Sequence, residues 1–293
     1  MGDWLLEHHA GVQSSLLIAI VACVLLWETW LPRRAFAVPL GRRWFNQLAL
    51  WTMGSLVVRL AIPVVSFSLA VWAQREGWGL LNIVALPPSL ALLLGVLAID
   101  LGLYTQHRLW HAVPFLWRFH QIHHSDLDVD CGTAIRHHPV ETLITQTLEL
   151  AVIAAVGVPP LAVVVGVSLT GIASLFNHGN VALPPACERV LRWLIVTPDM
   201  HRVHHSADFA ESNRNFANIL PLWDHVFRTY QREPMLGQTQ MLLGLAEARA
   251  TRDFSLSELL ALPFRPRSAA TYADIRLEPV RADAQSAAAA KPQ

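Results

Sequence analysis

Residues 80–111 read LLNIVALPPSLALLLGVLAIDLGLYTQHRLWH, and this stretch decides the class of fold. Residues 80–99 carry no charged side chain, and 20 helical residues span about 30 Å, the thickness of a bilayer's hydrocarbon. Polar residues follow at once: Asp100, Tyr104, then His107 and His111 four apart. An apolar run that ends on paired imidazoles predicts a transmembrane helix whose exit carries chemistry. Composition agrees, because 53% of the 293 residues are hydrophobic and 15% charged, against about 25% charged in soluble domains. Mean hydropathy is +0.37, which excludes a disordered or fibrous chain. The 22 basic and 22 acidic residues cancel, so no nucleic-acid partner is expected. Cys23, Cys131 and Cys187 are too widely spaced for a disulfide framework or a CxxC metal knuckle.

Three more stretches follow the same logic. Residues 11–27 are uncharged and predict a first span ending at Pro32. Residues 48–73 are long enough to cross but contain Arg59 and Pro63, which predicts one kinked span whose Arg59 snorkels, pairs or faces the interior. Residues 150–176 are uncharged but broken by Gly157, Pro159 and Pro160, so two helices of a hairpin starting near Leu143 are expected. The expected fold class is an all-α integral membrane helical bundle of four or five spans with a cytoplasmic helical cap.

Arg33, Arg34, Arg42 and Arg43 lie between the first two spans, whereas Arg75 stands alone between the second and third. Basic residues collect in short cytoplasmic loops, so the N-terminus is expected outside and the first loop inside. Counting onward brings every histidine-rich segment and the C-terminus to the cytoplasmic face. Arginine is used almost to the exclusion of lysine, Lys291 being the only one, and a bacterial inner membrane is the expected location. The first ten residues include Asp3, Glu7, His8 and His9, unlike the basic start of a cleavable signal peptide. The expected organisation is a transmembrane region over 1–99, a catalytic domain over 100–235 that includes the hairpin at about 143–176, and a cytoplasmic tail over 236–293. From about Arg267 that tail is rich in Ala, Arg and Pro and reads as disordered.

Fourteen histidines are the other outstanding feature. His107 and His111 form HxxxH; HQIHH supplies His120, His123 and His124; HRVHH supplies His201, His204 and His205. At about 100° per residue, positions i+3 and i+4 lie on either side of i, so the three imidazoles of an HxxHH box share one helical face. Neutral imidazole suits Zn, Cu, Fe and Ni, which establishes a metal site without naming the metal. A single tetrahedral ion uses about four ligands, so eight argue for two ions. His178 in NHGN, at the cytoplasmic end of the hairpin, is a ninth candidate, and Asn177 beside it a supporting one. His137 and His138 precede Pro139 and Glu141, and Glu141 is placed to orient an imidazole through its free N–H. Asp100 reads equally as a satisfied polar residue between helices and as an orienting partner one turn from Tyr104 and His107. Asp224 and Asn215 read as residues that fix the loop after the third box. Trp110, Trp117, Trp193 and Trp223 fit an interfacial belt or a pocket lining. HExxH is absent, which argues against a zincin peptidase.

The three boxes, with Asp100 and Tyr104 before them and LWRFHQIHHSD, IRHHPVE, FNHGN, TPDMHRVHHS and NILPLWDHVFRTY around them, resemble the fatty acid hydroxylase/sterol desaturase superfamily of membrane di-iron enzymes. The resemblance covers residues 100–230, nearly half the chain. It implies that His107, His111, His120, His123, His124, His178, His201, His204 and His205 bind the metals. His138 matches the family's arginine-x-histidine-proline-x-glutamate segment, which leaves His137 as the odd one out. His225 in LWDHVF departs from the pattern. The implied cofactors are two iron ions, which zinc can displace during overexpression, with O2 as co-substrate. The implied reaction is oxidation of an unactivated lipid C–H bond to an alcohol or an alkene, hydroxylation being preferred, on a fatty acyl, sterol, ether-lipid or isoprenoid substrate. No cytochrome b5-like domain is fused, so a separate electron donor is implied: a ferredoxin, a cytochrome b5-like protein or a reductase.

Two other classes fit less well. A metal transporter needs paired ionisable residues within its spans, where only Arg59 and Glu149 fall. A bis-histidine haem cytochrome needs histidines inside the apolar runs, and none is there. A non-catalytic scaffold is the remaining alternative.

Overall fold

A computed structural model describes residues 2–245, 248–249 and 254–265; the stretch from about Arg267, expected to be disordered, lies outside them. The principal helices are α1 (His9–Trp30), α2 (Leu40–Ala61), α3 (Ser66–Arg75), α4 (Pro88–Ala112), α5 (Pro114–His120), α6 (Pro139–Val156), α7 (Pro160–Asn177) and α8 (Pro198–His204). Among the described residues there is no strand, only two isolated bridges, Pro32 to Val181 and Ser206 to Leu243. Five segments are long and apolar enough to cross a bilayer: His9–Trp30, the composite Leu40–Ile83, Pro88–Ala112, Pro139–Val156 and Pro160–Asn177. The chain is an all-α integral membrane protein. Its spans expose large apolar side chains as lipid contact requires, Leu60 being 76% exposed.

Prolines punctuate the bundle. Pro88, Pro114, Pro139, Pro160 and Pro198 each open a helix, where the missing N–H is one that lacks an intrahelical partner anyway. The third span therefore runs from Pro88 to Ala112, later than the expected 80–99, because Pro87 and Pro88 separate it from a short turn at Leu80–Ile83. His107 and His111 are consequently part of the span's own helix. The expected kinked span over 48–73 is two helices. Pro63 ends α2 at Ala61, residues 62–65 are extended, and α3 begins at Ser66. Arg59 lies exposed in the last turn of α2. Gly157, left-handed at φ 69°, ends α6, and Pro160 starts α7, which makes the hairpin corner short. Ala70, Ile99, Ile153, Ala162 and Val163 fill the space between the spans.

Above the bundle a cap forms from the loops that leave its histidine-bearing end. Arg43, at the start of α2, is fully buried and grips Asp126 (2.9 Å) and Asp130 (2.8 Å) and the Asp128 carbonyl. Asp126 also accepts from Gln47 (3.0 Å) and Thr133 (2.7 Å). Arg33 pairs with Asp199 at 3.0 Å, and the Arg34 guanidinium donates to the Gln238 and Met241 carbonyls. Three of the four arginines that carried the topology argument thus tie the first loop to the cap. Glu28 in α1 accepts from the backbone N–H of Cys131 (2.9 Å) and Asn180 (2.7 Å). The segment from 236 is not all tail: Phe254, Leu259 and Leu262 pack with Leu50 and Ile122 in one buried cluster.

Candidate metal centre

The histidines converge from five elements. His107 and His111 come from the last turns of α4, and His120 ends α5. His123 and His124 lie on a 3-10 turn, His123–Ser125, rather than on the same helix as His120. His201 and His204 lie on α8, with His205 at its C-cap, and His178 caps α7. The nine form two groups whose ligand atoms lie within 4.8 Å of one another: His107, His111, His120, His124 and His204 in one, His123, His178, His201 and His205 in the other. The groups adjoin, since the His124 and His205 rings stack with centroids 4.7 Å apart.

Each HxxHH box feeds both groups, with a simple geometric rule. The first and last imidazoles of a box go together and the middle one crosses over: His120 and His124 join one group and His123 the other, while His201 and His205 join one and His204 the other. On a helical face i and i+4 are separated by about 40°, whereas i+3 and i+4 diverge by about 100°. Adjacent histidines therefore address two centres.

The donor set fits metal ions. His107 donates from Nδ1 to the Phe216 carbonyl at 2.8 Å, His178 to Ser174 at 2.7 Å and His204 to Arg214 at 2.9 Å. His120 Nδ1 lies 2.6 Å from Glu141. With Nδ1 engaged, Nε2 of His107, His120 and His204 is buried without a hydrogen-bond partner, as are Nε2 of His111, His124 and His205. Orphaned nitrogens facing one another at this density are costly without an ion to bind them. Outer hydrogen bonds of this kind fix ring orientation and tautomer in metal sites. Asn215 sits between two of these anchoring carbonyls with φ 52°, and its amide donates to the Met200 and Gln231 carbonyls at 2.9 and 2.8 Å. Its left-handed backbone presents Arg214 and Phe216 to His204 and His107.

Burial is the largest cause that holds His123, His124, His201, His204 and His205 well below the ordinary imidazole range, and it lowers His178 to about 3. These rings are neutral donors at pH 7. In the unfolded chain they titrate near about 6.5, so below that pH the unfolded state binds protons the folded state refuses. Stability of metal-free protein is therefore complete above about pH 6.5 and falls as pH drops toward about 3. Each such histidine contributes up to about 1.4 kcal/mol per pH unit. Thermal unfolding of metal-free protein should show a midpoint that falls steeply from pH 7 to pH 5; a flat profile contradicts buried neutral rings.

The supporting residues named from sequence divide by position. Glu141 touches the site, accepting from His120 and, at 2.9 Å, from His137. His137 also stacks on His123 with centroids 4.6 Å apart. His138 instead faces away, its Nδ1 capping α6 by accepting from the Val140 N–H at 3.1 Å. His137, which the family pattern leaves as the odd one out, is thus the one of the pair that hydrogen-bonds at the site, through Glu141. Asp100 accepts from Trp223 Nε1 at 2.8 Å and from the Ile219 and Leu220 N–H groups, so it anchors that loop and touches no imidazole. Asp224 accepts from the N–H of Phe216 at 2.9 Å and of Ala217 at 3.1 Å and from Thr229, whose hydroxyl also meets Tyr104. Asp224 supports His107 at one remove, through Phe216. Asn177 donates to Asn218. Trp110 and Trp117 are buried beside the histidines, Trp117 edge-on to His111 at 4.9 Å, whereas Trp193 is exposed. Glu141→Gln should weaken metal binding about 10- to 100-fold, measured by chelator competition; unchanged affinity would remove Glu141 from the site.

Below the imidazoles lies a cavity of about 240 Å³, walled by Leu103, Trp110, Thr145 and Phe216 among others and roofed by His107, His120 and His201. A membrane bundle that roofs a small cavity with two adjoining histidine clusters defines a class: intramembrane proteins able to bring metal chemistry to a lipid. The comparisons name the family. Residues 92–229, just under half of the chain, match the fatty acid hydroxylase family. The chain is 28% identical over 240 residues to ornithine lipid hydroxylase OlsE of Rhizobium tropici, covering 76% of this chain and 68% of that protein. It is 31% identical over 139 residues to alkylglycerol monooxygenase of Homo sapiens, covering 47% of this chain and 30% of the relative. The Danio rerio alkylglycerol monooxygenase is 28% identical over 173 residues, covering 58% and 36%. No solved structure matches. Residues 92–229 thus resemble the fatty acid hydroxylase family, and the hydroxylase and monooxygenase relatives indicate an oxidoreductase.

Proposed function

We propose that this protein hydroxylates a C–H bond of a membrane lipid, using O2, two iron ions held by the nine histidines, and electrons from a separate donor protein. The observation that carries the reading is the pair of adjoining imidazole clusters opening on a cavity within the spans. Iron bound there supplies O2-dependent oxidation of an unactivated C–H bond. One oxygen atom enters the product and the other leaves as water, which requires two electrons and two protons from outside the lipid. The chain's own part is to position and exclude. Leu103, Trp110 and Phe216 give the lipid an apolar wall, Glu141 and the loop carbonyls hold the rings in one tautomer, and burial keeps water from the reacting carbon.

Supporting the assignment requires metal and product together. Detergent-purified protein should hold about two irons per chain, coupled by Mössbauer spectroscopy, and lipids from producing cells grown under 18O2 should carry one labelled oxygen. Absence of bound metal, or of label in any lipid, overturns the reading; a lipid that has lost two hydrogens without gaining oxygen makes the protein a desaturase. The proposed orientation places the N-terminus outside and the histidines in the cytoplasm, where a soluble donor reaches them. A reporter fused to the C-terminus should give a cytoplasmic signal, and a signal from the opposite side reverses the topology.

A further inference from the structure

The cavity wall is more polar than a bare hydrocarbon chain needs. Between α4, α6 and α7 it presents Gln106, Thr145, Thr170, Ser174 and Asn218, at a depth where an unsatisfied polar group is expensive. Three of these satisfy themselves: Thr170 donates to the Gly166 carbonyl at 2.9 Å, Ser174 to the Asn218 side-chain oxygen at 2.9 Å, and Asn218 to the Thr170 carbonyl at 3.2 Å. Gln106 and Thr145 do not. The Gln106 amide donates to Thr145 Oγ1 at 2.9 Å, bridging α4 and α6. An amide carries two hydrogens and an acceptor oxygen, and a hydroxyl both donates and accepts. The bridge therefore leaves the Thr145 hydroxyl proton, one amide hydrogen and Gln106 Oε1 without a partner among the described residues. In the flipped amide orientation a donor and an acceptor are likewise left over.

The position of this spare capacity is informative. Gln106 immediately precedes His107, and Thr145 lies one turn along α6 from Glu141, which holds His120. One helical turn is about 5.4 Å, so a group bound to the pair lies only a few bonds from a carbon beneath the imidazoles. We propose that Gln106 and Thr145 bind a hydroxyl or amide group of the substrate lipid and so place the oxidised C–H within a few bonds of that polar group. The inference rests on the proposed lipid oxidation and adds that the protein acts near the polar part of the lipid, not far along an acyl chain.

Two probes of equal length test it on the full-length purified protein: hexadecan-1-ol, and 1-fluorohexadecane, which keeps the shape but lacks the donor. Wild type should prefer the alcohol about tenfold in a competition assay, as expected for a hydrogen bond in a dry site. Thr145→Val and Gln106→Leu should bring the preference to within about twofold while leaving affinity for the fluoride unchanged. Thr145→Ser, which keeps the hydroxyl, should retain it, and the Thr145 variants decide the matter if Gln106→Leu does not fold. Absence of a preference in wild type, or a preference that survives Thr145→Val, overturns the proposal. A purely structural bridge would weaken both probes alike and also overturns it. Iron content of the same preparations separates the two readings: iron without probe preference refutes the role of the pair alone, and probe preference without iron refutes the oxidation.

Discussion

Replacing His124 or His205 by alanine abolishes product formation and removes about one of two metal ions per chain, while the protein remains folded in the membrane. His124 belongs to the group of five imidazoles and His205 to the group of four, so the two variants should each deplete a different ion. Even outer partners of metal ligands change affinity or activity about 10- to 100-fold, and loss of a direct donor should exceed that. The two rings stack on each other, so cross-talk is expected, with partial loss of the second ion in each variant. Elemental analysis and O2-dependent turnover on the same preparations are the measurements. Full activity in either variant, or a metal content equal to wild type, would remove that histidine from the ligand set.

Arg43→Leu should destabilise the protein by about 3–5 kcal/mol, because it takes the counter-charge from buried Asp130 and one of the two guanidiniums acting on buried Asp126, the other being Arg136. Arg43, Asp126 and Asp130 are almost wholly buried, so water cannot replace the guanidinium. The consequence reaches the metals, since Asp126 stands two residues after His124 and its hydrogen bonds to Gln47 and Thr133 share the same geometry. Arg43→Lys should rescue little, because a single ammonium cannot reproduce the fork that spans both carboxylates. Chemical denaturation of detergent-solubilised protein, followed by metal content, checks both effects; wild-type stability in Arg43→Leu would show that the carboxylates are satisfied without it.

Much of this was legible in advance. Apolar runs located the hairpin and the first span, since the cost of bringing charge into hydrocarbon is a property of composition alone. Span boundaries were less so. The third span slid from 80–99 to Pro88–Ala112 because Pro87 and Pro88 outweighed the apolar run before them, and Pro63 broke 48–73 where a kink was expected. The C-terminal part showed too little apolar periodicity to announce that Phe254, Leu259 and Leu262 join the cap.

At the site, box spacing by itself determined that the histidines act together and that they outnumber the needs of one ion, because residue type and helical angle are local. Which imidazole joins which group was decided only by the tertiary structure. His120 and His124 meet in one group and His123 in the other, although α5 ends at His120 and a 3-10 turn carries the other two. His137 lies against Glu141 while His138 turns to cap α6, a choice made by the backbone at Pro139. The carbonyls of Arg214, Phe216 and Ser174 that hold the rings have no side-chain signature at all. Long-range hydrogen bonds such as these depend on where a distant loop lies, and only the packed fold sets that.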